Sequence, residues 1–134
     1  MECSCSPEQV RRYMGRISGP LLDRIDLHVP VRGVAFDALE ARACGDDTAT
    51  LRGRVEAARA RQRDRQGGTG AACNALLSPA QVRRAAQPTA AAMTLLRRVF
   101  DARGLSARAY DRILKVALTI ADLEGVDSVD VPHV

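Results

Sequence analysis

Aromatic residues are scarce in this sequence, making up 3% of its 134 residues. Hydrophobic residues nonetheless reach 46%, and much of that share is alanine. Strands favour branched and aromatic side chains, whereas alanine is the best helix former. The scarcity therefore argues against a sheet sandwich and for close-packed helices. Long apolar runs are absent as well. No stretch approaches the roughly 18 residues that a membrane span requires. No charged and then apolar leader precedes a cleavage site, so no signal peptide is expected. These absences make the cytoplasm the expected compartment and leave no membrane partner. Four cysteines in a cytoplasmic chain read as thiols or ligands rather than disulfides.

Catalytic sets are missing too. No Ser/His/Asp or Cys/His arrangement stands out, and the two histidines, His28 and His133, are far apart and read as structural. No pair of acids sits in an evident cleft context. The glycine cluster Gly67-Gly68-Thr69-Gly70 is not a phosphate loop: a helix precedes it and no Gly-Lys-Ser/Thr follows, so it reads as a hinge. The net charge of +4 and pI near 9.2 permit a phosphate-bearing partner. They do not require one, because arginines mixed with acids are also the pattern of solvated helix faces.

What is present is a series of helix signals. Ser6-Pro7-Glu8-Gln9 is a capping box with proline at the first helical position, predicting a helix from Pro7 to about Ile17 with Val10, Tyr13, Met14 and Ile17 on its apolar stripe. The densest stretch follows, from Ser18 to Val29. Ser18-Gly19-Pro20 opens it, one helical turn carries Asp23 and Arg24, and the alternating run Ile25–Val29 reads as a strand ended by Pro30. Residues 31–47 read as a linker with a helical turn near Phe36–Ala43. A strong helix is predicted over 48–66, with Leu51, Val55, Ala58 and Gln62 on one narrow face and arginines over the rest. Ser78-Pro79 starts a short helix to about Ala86. Another covers Thr89–Ala102, with Met93, Leu96, Val99 and Phe100 inside and Gly104 as its stop. The last long helix runs from Leu105-Ser106 to about Leu123, with Tyr110, Ile113, Leu114, Ala117, Ile120 and Ala121 at helical spacing. Residues 126–134 alternate weakly. The chain begins and ends abruptly, as a part of something longer would.

Two arginines stand out. Arg24 lies at the join of turn and strand, where it is either a surface ion-pair partner or aimed at something outside. Arg108 lies in the first turn of the last helix, where a cation opposes the macrodipole at a cost of about 0.3–1 kcal/mol. An anion at that terminus would reverse the sign. Pairing with Asp111 at i+3 would explain Arg108 equally well.

The runs Cys3-Ser4-Cys5-Ser6-Pro7-Glu8-Gln9, Arg12-Tyr13 and Arg16-Ile17-Ser18-Gly19-Pro20-Leu21-Leu22-Asp23-Arg24-Ile25-Asp26-Leu27-His28-Val29 resemble the carboxy-terminal third of the ComM/YifB family. These are AAA+ ATPases related to the magnesium-chelatase ATPase subunit. Leu105-Ser106-Ala107-Arg108-Ala109-Tyr110-Asp111-Arg112-Ile113-Leu114-Lys115-Val116-Ala117, with Thr119–Leu123, resembles the same family's final helical module. Cys73-Asn74-Ala75 and the arginine-rich helix before it also fit.

The resemblance implies a mainly α chain. In it, residues 1–30 are the helix, turn and strand that end a truncated α/β P-loop core, 31–47 a linker, and 48–134 a helical lid that is itself truncated. It implies a ring, a hexamer in the family, with ATP and Mg between neighbours. In that pattern Arg24 is the arginine finger, acting in trans, and Arg108 is the sensor-2 arginine. Arginine suits both, since its fixed fork matches phosphate oxygens and stays charged. Walker A, Walker B and sensor 1 do not occur in these residues, so the chain alone is expected neither to hold ATP tightly nor to hydrolyse it. Cys3 and Cys5 correspond to half of a zinc-binding set. The work implied is on DNA, in natural transformation and branch migration, or chelatase-like. The alternative from the residues alone is a basic helical module that binds nucleic acid or a protein, carried by helix 48–66. That helix lacks stacking aromatics.

Overall fold

A computed structural model describes residues 4–22, 24–31, 33–34, 36, 40, 45–68 and 70–134. The chain divides into two compact units, Met1–Gly33 and Val34–Val134. Among the described residues the regular structure is entirely helical.

In the first unit, helix α1 spans Pro7–Met14. Ser6 closes the expected capping box: its hydroxyl accepts the Gln9 N–H at 3.3 Å, and its own N–H donates to Gln9 Oε1 at 2.7 Å. The helix stops three residues earlier than the apolar spacing predicts. Gly15 caps it, and Arg16 and Ile17 turn more tightly, bonding back to Tyr13 and Met14. The stripe Val10, Tyr13, Met14 and Ile17 is exposed. Helix α2 is the single expected turn, Gly19–Leu22. The run Ile25–Val29 is not a strand. It makes no ladder among the described residues. Alternation prepares a strand, but a ladder needs a second backbone, and none lies beside this one among them. Of the turn expected near Phe36–Ala43, Phe36 and Glu40 are helical and the rest lies outside the described residues.

The second unit is a helical bundle. Helix α3 spans Thr48–Gln66, α4 Pro79–Ala86, α5 Ala90–Arg103 and α6 Ala107–Glu124. Each start is capped by the side chain just before it: Asp47, Ser78, Thr89 and Ser106 accept from Thr50, Gln81, Ala92 and Ala109. Short 3-10 turns occupy Asn74–Leu76 and Val131–His133.

Helix α6 is the axis of this unit, packing against α3, α4 and both 3-10 turns. Leu114, Ala117, Leu118 and Ala121 form its buried stripe, against Leu77, Val82, Ala86, Leu96 and Val129. Burying one leucine side chain contributes about 1.5–3 kcal/mol. Two expected stripes are shifted. In α3, Leu51 and Val55 are exposed, and the buried face is Ala58, Gln62 and Gln66. In α5, Ala92 and Leu96 are buried while Met93 is exposed. Residues 126–134 do not form a strand either. Val129 is fully buried, and its backbone bonds both Ala86 (3.1 Å) and Thr89 (2.9 Å), closing the segment over the α4–α5 junction.

His133 is structural, as the sequence predicts. Its Nδ1 accepts the Asp130 N–H at 2.7 Å, so the proton sits on Nε2, 3.0 Å from Glu124 Oε2. None of the described helices is long and apolar enough to cross a membrane.

Candidate functional site

Arg108 is the second residue of α6. Gly104 ends α5 in the left-handed region (φ 58°), the chain reverses through Leu105, and Ser106 caps the new helix. The first turn of α6 contains no acid. The pairing that would have neutralised Arg108 is not made. Asp111, one turn on, is held by Arg83 of α4, whose Nε and Nη2 both lie 2.9 Å from Oδ1. The Arg83 guanidinium also sits 5.7 Å from the centre of the Tyr110 ring. Arg108 is exposed and forms no ion pair among the described residues. A free guanidinium and the first-turn N–H groups that Ser106 leaves uncapped, the Ala109 N–H being taken by its hydroxyl, therefore occupy the same end of α6. Both favour an anion.

Beside this turn is an open cavity of about 370 Å³, lined by Arg83, Leu96, Arg97, Phe100, Ala107 and Tyr110. Phe100 and Tyr110 meet edge to face at 6.3 Å. A second cavity, of about 460 Å³, lies near the other end of α6, with Arg65, Gln66, Leu77, Gln81, Arg84 and Gln87 among its walls.

Arg24 follows α2, in the first unit. Its N–H closes the turn on the Leu21 carbonyl at 2.9 Å, and its Nη1 reaches the Pro20 carbonyl at 3.4 Å. The side chain is exposed and makes no ion pair among the described residues. Asp23 lies outside them. Arg24 and Arg108 belong to different units.

Of the zinc candidates, Cys5 is a free, exposed thiol, and Cys3 lies outside the described residues, as does Cys44. Cys73 is free and half-buried. Among the described residues, no group of three or more His, Cys, Asp or Glu side chains is arranged to hold a metal.

Two arrangements were not foreseen. One is Arg83, which looks like a surface residue in sequence. The other is a buried polar network. Arg65 pairs with Asp122, Asn74 donates to Asp122 Oδ2 at 2.8 Å and to Thr119 at 3.1 Å, and Gln66 donates to Asn74 at 2.8 Å. A signal existed: Gln66 continues the face of Ala58 and Gln62, and Asp122 lies four residues after Leu118. Polar residues on a core-facing stripe must find partners inside.

Residues 45–134 match the family described as magnesium chelatase, subunit ChlI C-terminal, and residues 1–39 match magnesium chelatase, subunit ChlI. The helical unit is thus a magnesium-chelatase-type C-terminal module. An uncharacterized protein of Mycobacterium tuberculosis is 41% identical over 133 residues, covering 99% of this chain and 26% of that protein. Competence protein ComM of Haemophilus influenzae is 37% identical over 129 residues, covering 96% and 25%. YifB of Escherichia coli, itself uncharacterized, is 38% identical over 133 residues, covering 96% and 25%. The chain belongs to the ComM/YifB family of magnesium-chelatase-like proteins. It spans about a quarter of the length of these relatives.

Proposed function

We propose that this chain is the C-terminal part of a ring-forming AAA+ ATPase and supplies two arginines to ATP hydrolysis. Residues 1–30 end the ATPase core, 31–47 link it, and 48–134 form the lid. Arg108 acts as sensor 2, touching the nucleotide from the lid. Arg24 acts as the arginine finger, reaching the γ-phosphate held by the neighbouring subunit of a hexamer. The observation that carries this reading is the state of Arg108: exposed and unpaired on the first turn of α6, with its natural partner Asp111 committed to Arg83. ATP and Mg supply the reacting phosphate and its charge neutralisation. The Walker A and Walker B residues that would cradle them do not occur in this sequence, so the chain would add only its two arginines. Cys3 and Cys5 would be two of the four ligands that a structural zinc needs, the others coming from elsewhere. Free thiols at Cys5 and Cys73 fit a cytoplasmic machine.

The work we assign to the ring is on DNA, in branch migration during natural transformation, as the family resemblance implies; one relative bears the name competence protein. The stand-alone nucleic-acid module is the weaker reading. Arg54, Arg61 and Arg65 of α3 are paired with Asp46, Asp127 and Asp122, which removes much of the positive face on which it depends.

The test is made in the full-length gene product. Arg24→Ala is expected to keep ATP affinity and lose turnover by about 10³-fold or more, the value of an arginine finger. Turnover retained in that variant sinks the finger assignment.

A further inference from the structure

We infer that Arg83 is a positioning residue: by holding Asp111 across the α4–α6 contact, it keeps that carboxylate from pairing with Arg108 and leaves Arg108 free for a phosphate. This rests on the reading of Arg108 as the nucleotide-contacting arginine. The Asp111 side chain is only 13% exposed, so its charge requires a cationic partner. Residues three apart on a helix are neighbours, which puts Arg108 within reach of the same carboxylate. Lys115, at i+4, is the other cation on that face, but its ammonium donates to the Ala75 carbonyl at 2.8 Å. Arg83 wins Asp111 because two of its nitrogens converge on Oδ1 while its guanidinium lies against the Tyr110 ring. Packing on an aromatic face restricts the guanidinium and reduces the ordering cost of the pair. Without Arg83, Asp111 would turn to Arg108 and compete with the nucleotide for it.

The experiment compares Arg83→Ala, Arg83→Ala/Asp111→Asn and Arg108→Ala in the full-length gene product, reading ATP turnover and the melting temperature. Arg83→Ala is expected to lower kcat/KM for ATP about two- to fivefold, the range a partly exposed ion pair commands. The double variant, with no carboxylate to capture Arg108, is expected to return towards wild type. A brace with only a structural role would leave the double variant at least as impaired as the single one. Arg83→Gln, which keeps part of the stem on Tyr110, is read alongside in case the alanine variant does not fold. On this chain alone, the Arg108 Nε–H resonance is expected to shift in either single Arg83 variant and to return in the double. Wild-type turnover in both Arg83 variants, or no recovery in the double, overturns the inference. Unimpaired turnover in Arg108→Ala removes the sensor reading and this inference together. An impaired Arg108→Ala beside unaffected Arg83 variants removes this inference alone.

Discussion

Arg65, on the last turn of α3, closes a two-point ion pair on Asp122, whose carboxylate is fully buried near the end of α6. The pair joins the arginine-rich helix to the central one, and Asn74 ties the first 3-10 turn to the same oxygen. Arg65→Ala leaves a buried charge without its cation. The expected loss is about 3 kcal/mol, the low end for a broken buried pair because Arg65 is partly solvated. Arg65→Met/Asp122→Leu is expected to recover part of that loss, though Asn74 then keeps only Thr119 as an acceptor. Urea unfolding of the three proteins checks both statements. Equal stability of Arg65→Ala and wild type would show that the pair contributes nothing.

Gln87 ends α4 in the left-handed region, at φ 38°, where the ends of α5 and α6 use Gly104 and Gly125. A side chain there costs roughly 1–2 kcal/mol. Gln87→Gly is therefore expected to stabilise the unit by about 0.5–1 kcal/mol, after subtracting glycine's extra freedom in the unfolded chain. A lower melting temperature would mean that the Gln87 side chain contributes more than its backbone costs. Gly125→Ala, at φ 78°, is the control and should destabilise.

Two carboxylates make stability depend on acid. Hydrogen bonds from the Thr50 side chain and then its backbone N–H hold the Asp47 pKa below its usual value. The Thr89 hydroxyl, 2.6 Å from Asp130, followed by the Val131 backbone N–H, does the same for Asp130. For a carboxyl with a depressed folded pKa, the stabilisation is fully present above the unfolded value. It is lost as pH falls through the folded one. The melting temperature should thus be insensitive to these groups near neutrality and fall below about pH 4. Asp47→Asn/Asp130→Asn should show a shallower acid slope. The same slope in both proteins would rule the two groups out as its source.

The isolated chain is expected to bind DNA weakly, because three arginines of α3 are already paired within the protein. Fluorescence anisotropy with a labelled duplex should show binding only at low salt, with a shallow dependence of affinity on salt concentration. Submicromolar binding at physiological salt would instead favour the nucleic-acid module.

The helices themselves were legible in the sequence. Ser6, Asp47, Ser78 and Ser106 each accept the N–H three residues on, and Gly104 and Gly125 stop the chain within one residue of the helix end. These are short-range interactions, so local sequence specifies them. Arg108 could also be singled out, because its conflict with the helix dipole is local. The misreadings concern faces and partners. Leu51 and Val55 share a stripe with Ala58, yet the buried residues of α3 are Ala58, Gln62 and Gln66, all in its second half. Ile25–Val29 alternates like a strand, but alternation cannot provide a neighbouring strand.

Local sequence thus specifies the helical class, the caps and stops, and the family. Which carboxylate each cation receives is settled only by how the helices pack. Asp111 is nearer in sequence to Arg108, but α4 packs on α6 and brings in Arg83 from 28 residues away. Asp122 receives Arg65 from 57 residues away in the same manner. Ion pairs depend on distance in space, and that distance is set by how the helices pack.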